Sequence, residues 1–134
     1  LNKVPLPRYR TFCSPRIFPY ENLSGYENIL FAMKGKERIP AALSMLERFA
    51  LTTHMDKPVR HYSTGMRQRL KFIIALVNDA PVLYLDEPGS NLDDTGRKEM
   101  YTLIKELRKT RLILIATNEP EERKLCSEVI SLGR

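Results

Sequence analysis

Apolar positions recur along this chain with periods that change in a readable order. Between residues 25 and 34, Tyr26, Ile29, Leu30 and Met33 fall on one helical face, and Ser24 stands where a cap belongs. After Gly35, the spacing of Leu43, Leu46 and Phe49 predicts a second helix over 39–50, with Pro40 in its tolerated first turn. Residues 51–62, which hold both histidines, read as a polar connection. From Ser63 onward, Met66, Leu70, Ile73, Ile74 and Val77 predict a third helix, stopped by Asn78-Asp79-Ala80-Pro81. Met100, Leu103, Ile104 and Leu107 predict a fourth over 94–109 with a charged outer face, and 120–126 reads as a short fifth. Apolar runs of strand length lie at 82–85, 112–116 and 129–132. Residues 9–13 alternate like a strand inside an opening broken by prolines at 5, 7, 15 and 19. Uninterrupted apolar strands alternating with helices predict an α/β fold whose parallel sheet is covered on both faces. The first third reads as a separate, mostly helical lobe.

Composition narrows the class. The 134 residues fit one domain, and 43% hydrophobic content is enough to build a core. The longest apolar run, 72–77, falls far short of the ~20 residues that span a bilayer. Two cysteines make no disulfide scaffold, and no charged-then-apolar leader opens the chain, so a reducing cytoplasm is expected. The balance of 22 basic and 16 acidic residues, +6, leaves an anionic partner open. Basic residues do not interleave with aromatics, which speaks against nucleic acid. His54 and His61 lack metal-ligand spacing and read as surface residues; Cys126 reads as a small apolar side chain. The chain opens on Leu1 rather than Met, as a piece of something longer would.

Two segments carry chemistry. In Val82-Leu83-Tyr84-Leu85-Asp86-Glu87-Pro88, four apolar residues end in adjacent carboxylates at the carboxyl end of a buried strand. Ligands bind at that end of open α/β sheets. One carboxylate suits Mg²⁺, which takes one or two carboxylates plus phosphate oxygens; the other suits the activation of a water. Taken alone, the segment is equally a strand ending in a solvated acidic turn. In Tyr62-Ser63-Thr64-Gly65-Met66, a small polar residue and a glycine open a helix, leaving free N–H groups that attract an anion. An isolated Ser-x-Gly is more often a plain N-cap. Arg67, Arg69 and Lys71 on the same helix read as a solvated face with some packing, and the basic run 105–111 as a helix end that complements the dipole.

The succession of these segments is more specific than either. An anion-type helix start, its helix, a strand ending in Asp86-Glu87, then Ser90-Asn91-Leu92-Asp93 resemble the second half of an ABC-transporter nucleotide-binding domain, of the ABC-2 exporter type. Residues 62–66 match the family's signature motif, 82–87 Walker B and 90–93 the D-loop; 112–118 stand where the switch strand and its histidine belong. Residues 13–19 stand at the Q-loop, and 23–31 resemble the start of the helical subdomain.

The resemblance implies a partial P-loop NTPase (RecA-like) core with an ABC helical subdomain, divided as 1–22 (Q-loop region), 23–80 (helical subdomain with signature helix) and 81–134 (core with Walker B, D-loop and switch strand). It implies that Asp86 coordinates Mg²⁺ and Glu87 acts on the attacking water. Ser63, Thr64 and Gly65 would meet the γ-phosphate of ATP held by the opposing subunit of a head-to-tail dimer, and Asp93 would couple the two sites. A membrane-spanning permease would be the partner, at the inner face of the cell membrane, docked on the lobe 23–50.

The chain departs from the family at three points. None of its six glycines opens G-x-x-x-x-G-K-[ST], so Walker A is expected upstream or missing, and the fragment is expected to bind ATP poorly. The Q-loop glutamine position falls on Cys13, or on Ser14 or Pro15. Asn118 stands in place of the switch histidine. Cys13 and Asn118 leave open a non-hydrolysing subunit that lends its signature helix to an active partner, and the +6 charge leaves open a soluble ABC protein acting on nucleic acid or ribosomes.

Overall fold

A computed structural model describes residues 10–14 and 16–132. Three parallel strands, β1 (Arg10–Cys13), β2 (Val82–Asp86) and β3 (Leu112–Ala116), form a sheet in the order β1-β2-β3. The register sets Phe12, Tyr84 and Leu114 in one row and Cys13, Leu85 and Ile115 in the next. The helices are α1 (Gly25–Ala32), α2 (Ile39–Arg48), α3 (Thr64–Leu76), α4 (Asp94–Leu107) and a one-turn α5 (Pro120–Arg123).

Each helix starts where its sequence marks a start. Ser24 and Glu27 form a capping box: the Ser24 hydroxyl accepts from the Glu27 N–H at 3.1 Å and the Glu27 carboxylate from the Ser24 N–H at 2.7 Å. The Ser24 N–H first, and then the Ser24 hydroxyl, hold the Glu27 carboxyl below its ordinary range. Ser63 caps α3 through the Met66 N–H, and Asp93 caps α4 through the Gly96 N–H. Helix α1 stops at Ala32, two residues short of the predicted end at 34. The Asn78 side chain, beyond α3, donates to the Ala32 carbonyl at 2.7 Å and accepts from the Lys34 N–H at 2.9 Å, which takes up the groups another turn would have used.

Helix α3 organises the packing. It touches β1 on one side and α1 and α2 on the other, so Phe72, Ala75 and Leu76 are buried along with the expected Leu70 and Ile73. A helix between two layers buries most of its circumference, which a single-stripe reading understates. One apolar cluster runs from Cys13, Leu83 and Leu85 through Phe72 to Leu46, Ile29, Met100 and Ile104. The helical lobe and the sheet thus share a core, where the sequence suggested a separate lobe. Arg48 at the end of α2 also reaches across to α4, forking onto Glu106 at 2.8 and 2.9 Å and pairing with Glu99.

Three expectations are corrected. Among the described residues the sheet is covered on one face only: Phe12 (46% exposed), Leu112 (59%) and Leu114 (44%) line the other face, where Phe12 stacks on Tyr84 at 4.7 Å. Residues 129–132 form no strand; Val129, Ile130 and Leu132 are exposed and pair with no edge, and an apolar run becomes a strand only with a hydrogen-bonding neighbour. Residues 51–62 are more than a polar connection, since Leu51, Val59 and Tyr62 enter the core through two 3₁₀ turns. Tyr9 and Pro15 lie outside the described residues. No described helix is long and apolar enough to cross a membrane.

Candidate active site at the carboxyl ends of the strands

Parallel strands in register bring their carboxyl ends, and the loops that follow, to one edge. Ser14 follows β1, Asp86-Glu87 end β2, and Thr117-Asn118 follow β3. The Ser14 hydroxyl donates to Asp86 Oδ2 at 3.0 Å. Cys13, one residue earlier, points the other way: it is 1% exposed on the core face, and burial pushes its thiol up to about 12. Side chains alternate across a strand, so Cys13 belongs to the core and Ser14 to the Asp86 edge. The sequence predicts a nucleotide contact at Cys13, whose side chain lies in the core rather than beside Asp86.

Glu87 is exposed and sits at φ 47°, in the left-handed region that a non-glycine residue rarely adopts. Its N–H donates to the Ala116 carbonyl at 2.9 Å, and its own carbonyl accepts from the Ser90 N–H at 3.0 Å. The end of β3 therefore holds the Glu87 backbone directly. Such strain persists where surrounding structure enforces it, and it concentrates at functional sites. Asn118 is exposed two residues past Ala116, at the same sheet edge.

The start of α3 joins this edge through the loop after β2. A Cβ on Gly65 would come within 3.1 Å of the Asn91 carbonyl, so the start of α3 and the turn after β2 lie against each other. Asn91 itself is left-handed, at φ 60°, which asparagine tolerates. Ser63 and Thr64 are exposed. With Arg67, Gln68, Lys71 and Asn91 they line a cavity of about 480 Å³. The basic residues of α3 are not a solvated face. Arg67 donates to Glu21 and to the carbonyls of Arg60 and Tyr62, Arg69 pairs with Asp93 at 2.6 Å, and Lys71 lies over the Phe18 ring at 4.6 Å. Asp93 is thus bound within its own chain: the Gly96 N–H first, and then Arg69, hold its carboxyl below the ordinary range.

Residues that the sequence did not single out complete the picture. Gln68, on the inward side of α3, donates to the Pro88 carbonyl at 3.1 Å, and Glu122 of α5 accepts from the Gly89 N–H at 2.8 Å. Gln68 lies off the predicted stripe of Met66, Leu70, Ile73, Ile74 and Val77, so apolar spacing held no signal for it. Nothing in Glu119-Pro120-Glu121-Glu122-Arg123-Lys124 distinguishes the one buried carboxylate from its exposed neighbours.

The family profile described as ABC transporter matches residues 10–90, from β1 to the turn after β2. The chain belongs to the ABC transporter family. As an ABC transporter chain it has relatives in plants and amoebae. "ABC transporter A family member 12" of Arabidopsis thaliana is 33% identical over 125 residues, 87% of this chain and 14% of that protein. "ABC transporter A family member 9" of Dictyostelium discoideum is 30% identical over 118 residues, 84% of this chain and 14% of that one. The chain thus spans about one seventh of the length of these relatives. A solved structure titled "Structure of ATP binding subunit of ABC transporter" superposes with a TM-score of 0.77 at 21% identity, covering 89% of this chain and 52% of that one. The likeness confirms the α/β fold with its parallel sheet as part of an ABC ATPase P-loop fold.

Proposed function

We propose that these residues are the signature-and-Walker-B part of an ATP-hydrolysing ABC subunit that drives a membrane partner. The observation that carries this reading is the joining of four separate sequence segments at one sheet edge. The Asp86–Ser14 pair, the strained Glu87, the Asn91 turn and the Ser63–Gly65 helix start all meet there. The donor set fits magnesium nucleotide: one carboxylate with an adjacent hydroxyl suits a cation that keeps its waters and phosphate oxygens. A bound Mg²⁺–ATP would supply the phosphoanhydride and the charge that neutralises its oxygens. Asp86 would hold that cation, and Ser14, which donates to Asp86 Oδ2, would orient the Asp86 carboxylate. Glu87 takes the proton of the attacking water, and Asn118 donates to a phosphate oxygen. Ser63, Thr64 and Gly65 present the start of α3 to the γ-phosphate of the opposing subunit, and Asp93 ties that helix to α4.

In this reading the phosphate cradle lies outside the 134 residues, and 1–22, 23–80 and 81–134 act as Q-loop, helical and core segments. The permease docks at the inner membrane face on a groove of about 260 Å³ lined by Ile17, Phe18, Tyr20 and Phe31. Phe18 and Phe31 are 74% and 71% exposed, and Tyr20 meets Phe31 edge to face, an apolar patch suited to a partner helix.

The reading is tested in the full-length protein with Ser63→Arg. The long side chain enters the cavity at the start of α3, where the opposing nucleotide would sit. ATP-driven dimerisation in a hydrolysis-dead background should be lost while nucleotide binding by the monomer remains. Size-exclusion chromatography with ATP reads this, and an undiminished dimer peak would refute the assignment of the signature turn.

The non-hydrolysing alternative draws on Asn118, whose amide has no cationic form. One electrostatic donor at a transition state is worth about 10²–10³-fold in rate. The full-length protein should therefore turn over slowly, and Asn118→His should raise kcat severalfold with little change in nucleotide affinity. An unchanged or lower rate would show that the site is built around asparagine.

A further inference from the structure

Glu122 is fully buried, at 0% exposure, on the single turn α5, four residues past Asn118. Two donors converge on its Oε1: the Gly89 N–H at 2.8 Å and the Tyr101 hydroxyl at 3.1 Å. Burial, and then the Glu122 charge, raise the Tyr101 phenol above its ordinary range, so it remains a donor. The second oxygen, Oε2, is buried with no partner among the described residues. Burying a carboxylate with one oxygen unsatisfied is unfavourable, so packing does not account for the residue. Its contact with Gly89 does. A Cβ on Gly89 would lie 2.6 Å from Glu122 Oε1 and 2.7 Å from the Tyr101 hydroxyl, so only glycine lets the carboxylate reach this backbone.

The other end of the same peptide unit is also held. The Gln68 amide donates to the Pro88 carbonyl at 3.1 Å. The Pro88 carbonyl and the Gly89 N–H belong to one planar group. That plane is gripped at its oxygen by α3 and at its nitrogen by α5. Glu87 lies immediately before it, in the left-handed region. Rotating the plane changes ψ at Pro88 and φ at Gly89, and so re-aims the turn that starts at Glu87.

We propose that Glu122 is a positioning residue for Glu87, and that Glu122 and Gln68 clamp the Pro88–Gly89 peptide so that the Glu87 turn follows both the signature helix and the segment after the switch strand. The catalytic consequence rests on the reading of Glu87 given above; the clamp itself does not. A shift of α5, which Asn118 precedes by a few residues, is transmitted to the Glu87 turn through Gly89. A shift of α3 is transmitted through Pro88.

The test uses the full-length protein with Glu122→Ala, Glu122→Gln and Gln68→Leu, read by amide hydrogen exchange over residues 87–92 and by kcat and KM. Removing the acceptor in Glu122→Ala should speed exchange selectively in 87–92. It should lower kcat by about ten- to a hundredfold with KM little changed, the scale at which ~1 Å misplacements act. Glu122→Gln keeps a carbonyl acceptor and should recover most of both losses. Gln68→Leu should produce the same two changes in smaller measure. Unchanged exchange over 87–92 in folded Glu122→Ala overturns the proposal. So does a rise spread evenly over α3, α4 and the sheet, which a merely structural residue would give. If Glu122→Ala does not accumulate, Gln68→Leu decides: selective exchange supports the clamp and wild-type exchange overturns it. Glu87→Gln is run alongside. If that variant keeps wild-type turnover, the role of Glu87 is lost, and the exchange measurements alone decide the clamp.

Discussion

Glu87→Gln in the full-length protein is expected to abolish ATP turnover while leaving nucleotide binding intact. The amide preserves the shape of the side chain and cannot take a proton from water. A positioned general base contributes about 10²–10⁴-fold, so kcat should fall by at least about a hundredfold. The backbone should be undisturbed by the change, because Glu87 is held through its N–H to Ala116 and its carbonyl to Ser90. Its side chain is exposed at the end of β2, and no described contact depends on its charge. Steady-state turnover with a parallel nucleotide-binding titration measures both quantities. Wild-type turnover in this variant would remove Glu87 from the chemistry, and loss of binding together with turnover would place it in ground-state contact with nucleotide.

Phe72→Ala should produce the largest loss of stability. Phe72 is 0% exposed in the middle of α3 and meets Phe49 edge to face at 5.7 Å, so it links the sheet side of the helix to the α2 side. Truncating a buried phenylalanine costs about 3–5 kcal/mol, from lost burial and the cavity left behind. Phe12→Ala is the matched comparison. Its ring stacks on Tyr84, but on the open sheet face, and its loss should stay near about 1 kcal/mol. Urea unfolding of the two variants tests the one-sided core, and equal losses would mean that the Phe12 face is as buried as the other.

The sequence by itself determined the order of elements and the chemistry of their junctions. Apolar spacing placed the five described helices and the strands at 82–85 and 112–116, because helix and strand periods are local properties of the chain. Ser24 and Ser63 marked helix starts that the structure uses, because a cap acts within three residues; the Asp93 cap of α4 emerged only in the structure. The adjacent carboxylates after an apolar run pointed to the strand edge, and their order relative to Ser63 and Asn91 pointed to the family.

Contacts between segments distant in sequence were decided only in three dimensions. Whether Cys13 or Ser14 faces Asp86 depends on which side of β1 meets the core, and a one-residue slip would exchange them. Alternation alone cannot settle that. Residues 129–132 look like a strand but find no edge to pair with, and among the described residues the apolar strands have a cover on one face only. Leu51 and Val59 lie in a stretch too polar to suggest burial, and the shared apolar cluster takes them inside. The burial of Glu122 has no local signature at all, since it depends on Gly89 thirty-three residues earlier offering a bare N–H. Local pattern sets what each segment can form; long-range burial and the pairing of backbone groups decide which side chains face one another at the site.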